Sequence, residues 1–224
     1  MKRAALRDRL AELEVELATL RTELAAFEAE YLRVVGVPLL ELQEVEAQIL
    51  ALVAVRSGTP DDERAAEAAR ERARETTTAI RSIPARPGPP PTDDLKTLFR
   101  DAAKRMHPDL VTADGARPHA EAFMKRLNEA YRAGDAGAIR DLMRQWETLP
   151  FVGAVGGGAA AERTLEIAVA EAERRLEDLR ASELAQLMER TLLAAREGRD
   201  LLFELREQTE AALAAARARL DALG

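Results

Sequence analysis

Nine apolar residues near the start of the chain, Leu6, Leu10, Leu13, Leu17, Leu20, Leu24, Phe27, Tyr31 and Val34, are separated by alternating steps of four and three. That is the period of a heptad seam, with Leu10, Leu17, Leu24 and Tyr31 at a and the others at d. A helix with so narrow an apolar stripe is not stable alone and must bury it against another helix. Composition extends the expectation to the whole chain: charged residues make up 33% and aromatics only 4% of 224 residues, the usage of long helices and coiled coils. The fold class expected is all-α.

Charge removes several function classes. The formal net charge of −7 gives no electrostatic reason to gather phosphate backbones or anionic lipid, so neither nucleic acid nor membrane is expected as a partner. With no Cys there is no disulfide framework and no thiolate metal site, which fits a reducing compartment. The chain opens directly on a charged, periodic helix rather than the unbroken apolar core of a signal peptide. Its longest apolar run, Ile49 to Val55, is too short to span a bilayer. The setting expected is cytoplasmic.

Breaks in the pattern divide the chain. Gly36 and Pro38 interrupt the first helix, and a second, more apolar helix runs from Leu39 to Val55. Ser57-Gly58 ends it. Thr59-Pro60-Asp61-Asp62-Glu63 then supplies a hydroxyl cap, Pro in the first turn and acids at the positive helix end, starting a third helix that reads as a solvated spacer out to about Ile83. Five prolines between Pro84 and Pro91 favour extended geometry. Three short amphipathic helices follow, about Asp93 to Met106, Pro118 to Ala133 and Asp135 to Trp146, with Gly134 suited to a C′ position and Asp135 to a cap. The stretch from Phe151 to Gly158 reads as a flexible Gly-rich linker. Heptad-like spacing returns at Leu165, Val169, Ala172, Leu176 and Leu179, shifts phase, and continues to Leu220, with a bend expected near Gly198. Arm with arm, each arm folded on itself, and a homodimer all satisfy these seams, and the sequence leaves the three open.

Between the arms lies the segment that carries chemistry. Leu95, Leu98, Phe99, Ala102 and Met106 share one helix face. Lys96, Arg100 and Lys104 form a basic row on the other side, with Arg105 flanking the apolar stripe. A basic row alone is most often a solvated face. Here it runs into His107-Pro108-Asp109, where Pro108 disfavours helical geometry for His107 and stops the helix, leaving imidazole and carboxylate in a loop, free to contact a partner. The next helix places Ala120, Phe123, Leu127, Ala130 and Tyr131 on one face, suited to pack antiparallel on the first. Ile139, Leu142, Met143 and Trp146 give the third helix a face that could cover this hairpin, with Trp146 a core anchor.

The run from Leu95 to Asp109, followed by Ala122 to Tyr131, resembles helices II and III of the J domain of DnaJ-type co-chaperones. The resemblance covers about residues 93–149. It implies that His107, Pro108 and Asp109 trigger, and Lys96, Arg100, Lys104 and Arg105 steer and anchor, docking on a DnaK-type ATPase chaperone whose ATP hydrolysis is thereby accelerated. The physics suits such a role: an exposed carboxylate can take a charge-assisted bond from an arginine, and a basic row raises the encounter rate with an acidic partner. The chain departs from the pattern in three places. The short helix I expected just before helix II is replaced by the proline-rich stretch, Leu110-Val111 stands where a basic residue often follows the tripeptide, and Asp101 interrupts the basic row. The organisation expected is N-terminal coiled-coil helices over 1–56, a helical spacer and Pro-rich linker over 57–92, a J-like unit lacking helix I over 93–149, a Gly-rich linker over 150–161, and C-terminal coiled-coil helices over 162–224.

Rival readings are weaker. His107, Asp109 and His119 form no closed metal-ligand set and no activated nucleophile, so no catalytic, metal or cofactor site is expected. Gly156-Gly157-Gly158 lacks the lysine and preceding strand of a phosphate loop. The stronger alternative is a coiled-coil scaffold in which the J-like unit is only a spacer.

Overall fold

The computed structural model describes residues 2–84, 89–111, 116–149 and 159–223. Among these the chain is all-α: α1 Lys2–Val34, α2 Gly36–Ser57, α3 Pro60–Ser82, α4 Asp93–Met106, a 3-10 turn Pro108–Leu110, α5 Ala116–Arg132, α6 Ala136–Glu147, α7 Ala159–Ala181, α8 Glu183–Arg196 and α9 Leu201–Leu223. Most of the Gly-rich stretch expected to be a linker lies outside the described residues, although α7 already begins at Ala159. Two compact units share these helices, one built from Met1–Ala25 with Gly88–Gln186, the other from Ala26–Pro87 with Leu187–Gly224. The long helix α1 contributes to both.

In the first unit, α1 and α7 run parallel. Lys2 Nζ meets Glu166 Oε1 at 2.7 Å, Arg9 Nη2 meets Glu173 Oε1 at 3.0 Å, and Arg180 Nη2 meets Glu16 Oε2 at 3.0 Å, each pair 164 residues apart. A constant offset is the signature of two helices in parallel register. Between these charges the leucine seam closes, with Leu10, Leu13 and Leu17 of α1 buried against Leu165, Ala168, Ala172 and Leu176 of α7. Here, then, arm pairs with arm inside one chain.

The same stretch of α1 carries a second stripe, Ala11, Val15 and Ala18, buried with Leu95, Phe99, Ala102, Leu127 and Tyr131 of α4 and α5. The hydroxyls of Thr19 and Tyr131, 2.6 Å apart, add a hydrogen bond beside it. The α4 and α5 faces pack as an antiparallel hairpin, with Phe99 edge-on to Tyr131 at 4.7 Å. Helix α6 closes it through Ile139, Leu142 and Trp146, and Trp146 lies edge-on to Phe123 at 5.3 Å. Gly134 takes φ +69°, and the Asp135 carboxylate accepts from the Ala138 N–H at 2.8 Å, ending α5 and starting α6.

The second unit corrects one expectation. Helix α3 is capped as its sequence predicts, the Thr59 hydroxyl accepting from the Asp62 N–H at 3.3 Å. It is not a solvated spacer, however, because it packs along α2 and buries Ala66, Ala69 and Ala73. Alanines give little hydrophobic signal, yet they let two backbones approach closely. A small apolar cluster of Val45, Ile49 and Leu213 joins α2 to α9 in the same unit. The bend expected near Gly198 is present, with φ +77°. An additional break at Ser182 separates α7 from α8; its Oγ donates to the Leu179 carbonyl at 2.7 Å and accepts from the Ala185 N–H at 3.3 Å.

Candidate partner-docking site

Helix α4 is built to end where it does. Thr92 caps it by accepting from the Leu95 N–H at 3.2 Å, Asp93 and Asp94 lie in its first turn, and Lys104 and Arg105 in its last, each charge placed favourably on the helix dipole. His107 is forced to extended geometry, φ −64° and ψ 132°, by the proline that follows it. Its Nδ1 then accepts from the Asp109 N–H at 3.2 Å, capping the 3-10 turn. An imidazole that accepts at Nδ1 carries its proton on Nε2.

That Nε2 points inward. It lies 3.6 Å from Glu14 Oε1 on α1, long for a hydrogen bond but within ion-pair reach. The same oxygen accepts from Arg175 Nη2 of α7 at 3.2 Å. Glu14 is 5% and His107 6% exposed. Burial works against ionising Glu14, yet His107, with Arg175 and Arg21 behind it, outweighs burial and holds the carboxyl below its usual range. Asp109, with 20% of its side chain exposed, is held by Arg117 Nη2 at 3.2 Å. Leu110 turns into the leucine seam between α1 and α7. The tripeptide is therefore brought together in one turn, but it is not a free loop. Its histidine is enclosed because α1 and α7 supply a carboxylate for the imidazole and an apolar slot for Leu110.

The basic row is also turned toward α1. Lys104 Nζ pairs with Asp8 Oδ1 at 2.8 Å, and Lys96 lies 3.7 Å from Asp93 of its own helix. Lys96 and Arg100 line an open cleft of about 480 Å³ across from Glu12, Glu16 and Glu23, and the buried Arg100 Nε has no hydrogen-bond partner among the described residues. Arg105 is separated from the other three, pairing with Glu147 of α6 at 2.7 Å.

Glu14, Asp8, Arg175, Arg117 and the slot for Leu110 were not singled out in the sequence. A signal for part of this existed. Ala11, Val15 and Ala18 repeat at steps of four and three beside the leucine seam, and at about 100° per residue Glu14 falls in the crease between the two stripes. Among the described residues no three His, Asp or Glu side chains converge as metal ligands, and no helix is long and apolar enough to cross a membrane.

These observations define an all-helical protein whose candidate site is a His-Pro-Asp turn between two packed helices. The chain is 40% identical over 72 residues to the chaperone protein DnaJ of Cereibacter sphaeroides strain KD131, and equally to that of strain ATCC 17029. The similarity covers 31% of this chain and only 17% of the length of those proteins. No family model matches the chain, and no solved structure matches it significantly.

Proposed function

We propose that this chain is a divergent J-domain co-chaperone with coiled-coil arms, which docks on a DnaK-type chaperone in the cytoplasm and stimulates its ATP hydrolysis without catalytic chemistry of its own. The observation that carries the reading is the His107-Pro108-Asp109 turn at the end of a basic helix in a helical hairpin. The partial identity to DnaJ supports it. Asp109 would accept a charge-assisted bond from the partner, and Lys96, Arg100, Lys104 and Arg105 would steer the encounter. The division into arms at 1–56 and 162–224 around a unit at 93–149 belongs to the same proposal. A homodimer through the arms would require seams other than the one α7 already fills.

Steady-state ATP hydrolysis by a bacterial DnaK, measured with and without this protein, tests the reading. Wild type is expected to raise the rate. His107→Gln and Asp109→Asn are each expected to return it to the basal level, since losing one partner of a docked charge pair costs about 2–5 kcal/mol.

A coiled-coil scaffold remains the second reading, favoured by Leu110 lying in the arm seam. A scaffold would keep its assembly and function with both substitutions in place.

A further inference from the structure

Resting on the co-chaperone reading, we propose that the N-terminal half of α1, held by α7, is a built-in cover over the docking face, so that the chain engages its partner only when this cover lifts. Three contacts made by different chemistry converge on it. His107 is enclosed and faces Glu14. Leu110, the residue directly after the tripeptide, is buried between α1 and α7. Lys104 is paired with Asp8.

A partner that recognises a basic row must present acids, and α1 already does so. Asp8 reaches Lys104, while Glu12, Glu16 and Glu23 face Lys96 and Arg100 across an open cleft. The helix thus offers the charge pattern expected of the partner, and the two compete for one surface. An imidazole 6% exposed offers a second protein little surface while α1 is in place.

The cover is also built to come away. Its stripe on α4 and α5 consists of Ala11, Val15 and Ala18, small side chains with little area to expose. Its Asp8–Lys104 ion pair lies at the surface, where salt screens it, and only the Glu14–His107 contact is enclosed. The leucine seam between α1 and α7 is the better-buried contact, so the two helices lift together. A site open in about one molecule in ten binds with an apparent Kd about tenfold weaker than its intrinsic value.

The chain carries two histidines, which gives an internal control. Diethylpyrocarbonate labelling should modify buried His107 much more slowly than exposed His119. Asp8→Lys with Glu12→Lys, both on exposed positions away from the cores, should remove that protection and bring half-maximal stimulation of a bacterial DnaK ATPase to roughly tenfold lower concentration; Glu14→Gln should act in the same direction. Equal labelling of His107 and His119 in the wild type overturns the cover. So does continued protection of His107 in both variants, or lost protection with an unchanged dose response. If the uncovered variants neither bind DnaK nor stimulate it, the co-chaperone reading itself fails, an outcome the labelling separates from a failed cover.

Discussion

Glu14 keeps its charge in a buried crease because His107 and Arg175 converge on it, and this ties stability to pH in a definite direction. A carboxyl held below its ordinary value stabilises the fold above about pH 4.3, and that contribution is lost as pH falls through the lowered value. Glu14→Gln should therefore cost about 2–3 kcal/mol at neutral pH, less than a fully enclosed pair because Arg175 is half exposed. The cost should shrink in acid, where denaturant midpoints of variant and wild type converge; a cost independent of pH would show that the carboxylate charge is not what matters. At Gly134, φ is +69° and an added Cβ would lie 2.6 Å from Pro89 Cγ. Gly134→Ala should lose at least about 1 kcal/mol in thermal or chemical unfolding. The His-Pro-Asp turn and the caps at Thr59 and Asp135 were legible in the sequence because each depends on neighbours within a few residues. The fate of His107 was not, since its carboxylate lies 93 positions earlier and its apolar companion Leu110 is buried by a helix that starts beyond residue 150.

At the level of elements, strong amphipathicity made α4, α5 and α6 readable, and their boundaries fall within two residues of those expected. Trp146 is 4% exposed and packs on Phe123. Trp146→Ala should lower stability by about 3–5 kcal/mol, read as a shifted denaturation midpoint; a loss under 1 kcal/mol would mean that α6 is not part of the core. Elsewhere the structure departs from the sequence pattern for physical reasons. The alanine face of α3 carries too little hydrophobicity to announce burial, although small side chains suit close helix packing. The shift of heptad phase after Leu179 was visible, but its cause is the break at Ser182, where a hydroxyl substitutes for two backbone partners. The leucine heptad announces one seam on α1, which buries two.

For the molecule as a whole, the heptads showed that the arms needed partners and could not say which, because any leucine seam satisfies another. The choice depends on charges at the edges: the repeated offset of 164 residues links α1 and α7 through opposite charges in parallel order. The second unit has its own small core, and Ile49→Ala in that core should cost about 2–5 kcal/mol of its stability. Under the proposed function, stimulation of DnaK should be unchanged, provided the assay is run below the unfolding transition; a matching loss of stimulation would show that the second unit takes part in the proposed docking.

The position of α7 along the chain carries a further consequence. Chain growth is vectorial, and α7 begins 49 residues after Leu110, a few seconds of synthesis at about 5–20 residues per second. The leucines of α1 and the turn at 107–110 are therefore made, and begin to emerge from the ribosome, before the helix that buries them is complete. A nascent chain of this protein thus presents to the surrounding chaperones the same turn that the finished molecule closes away.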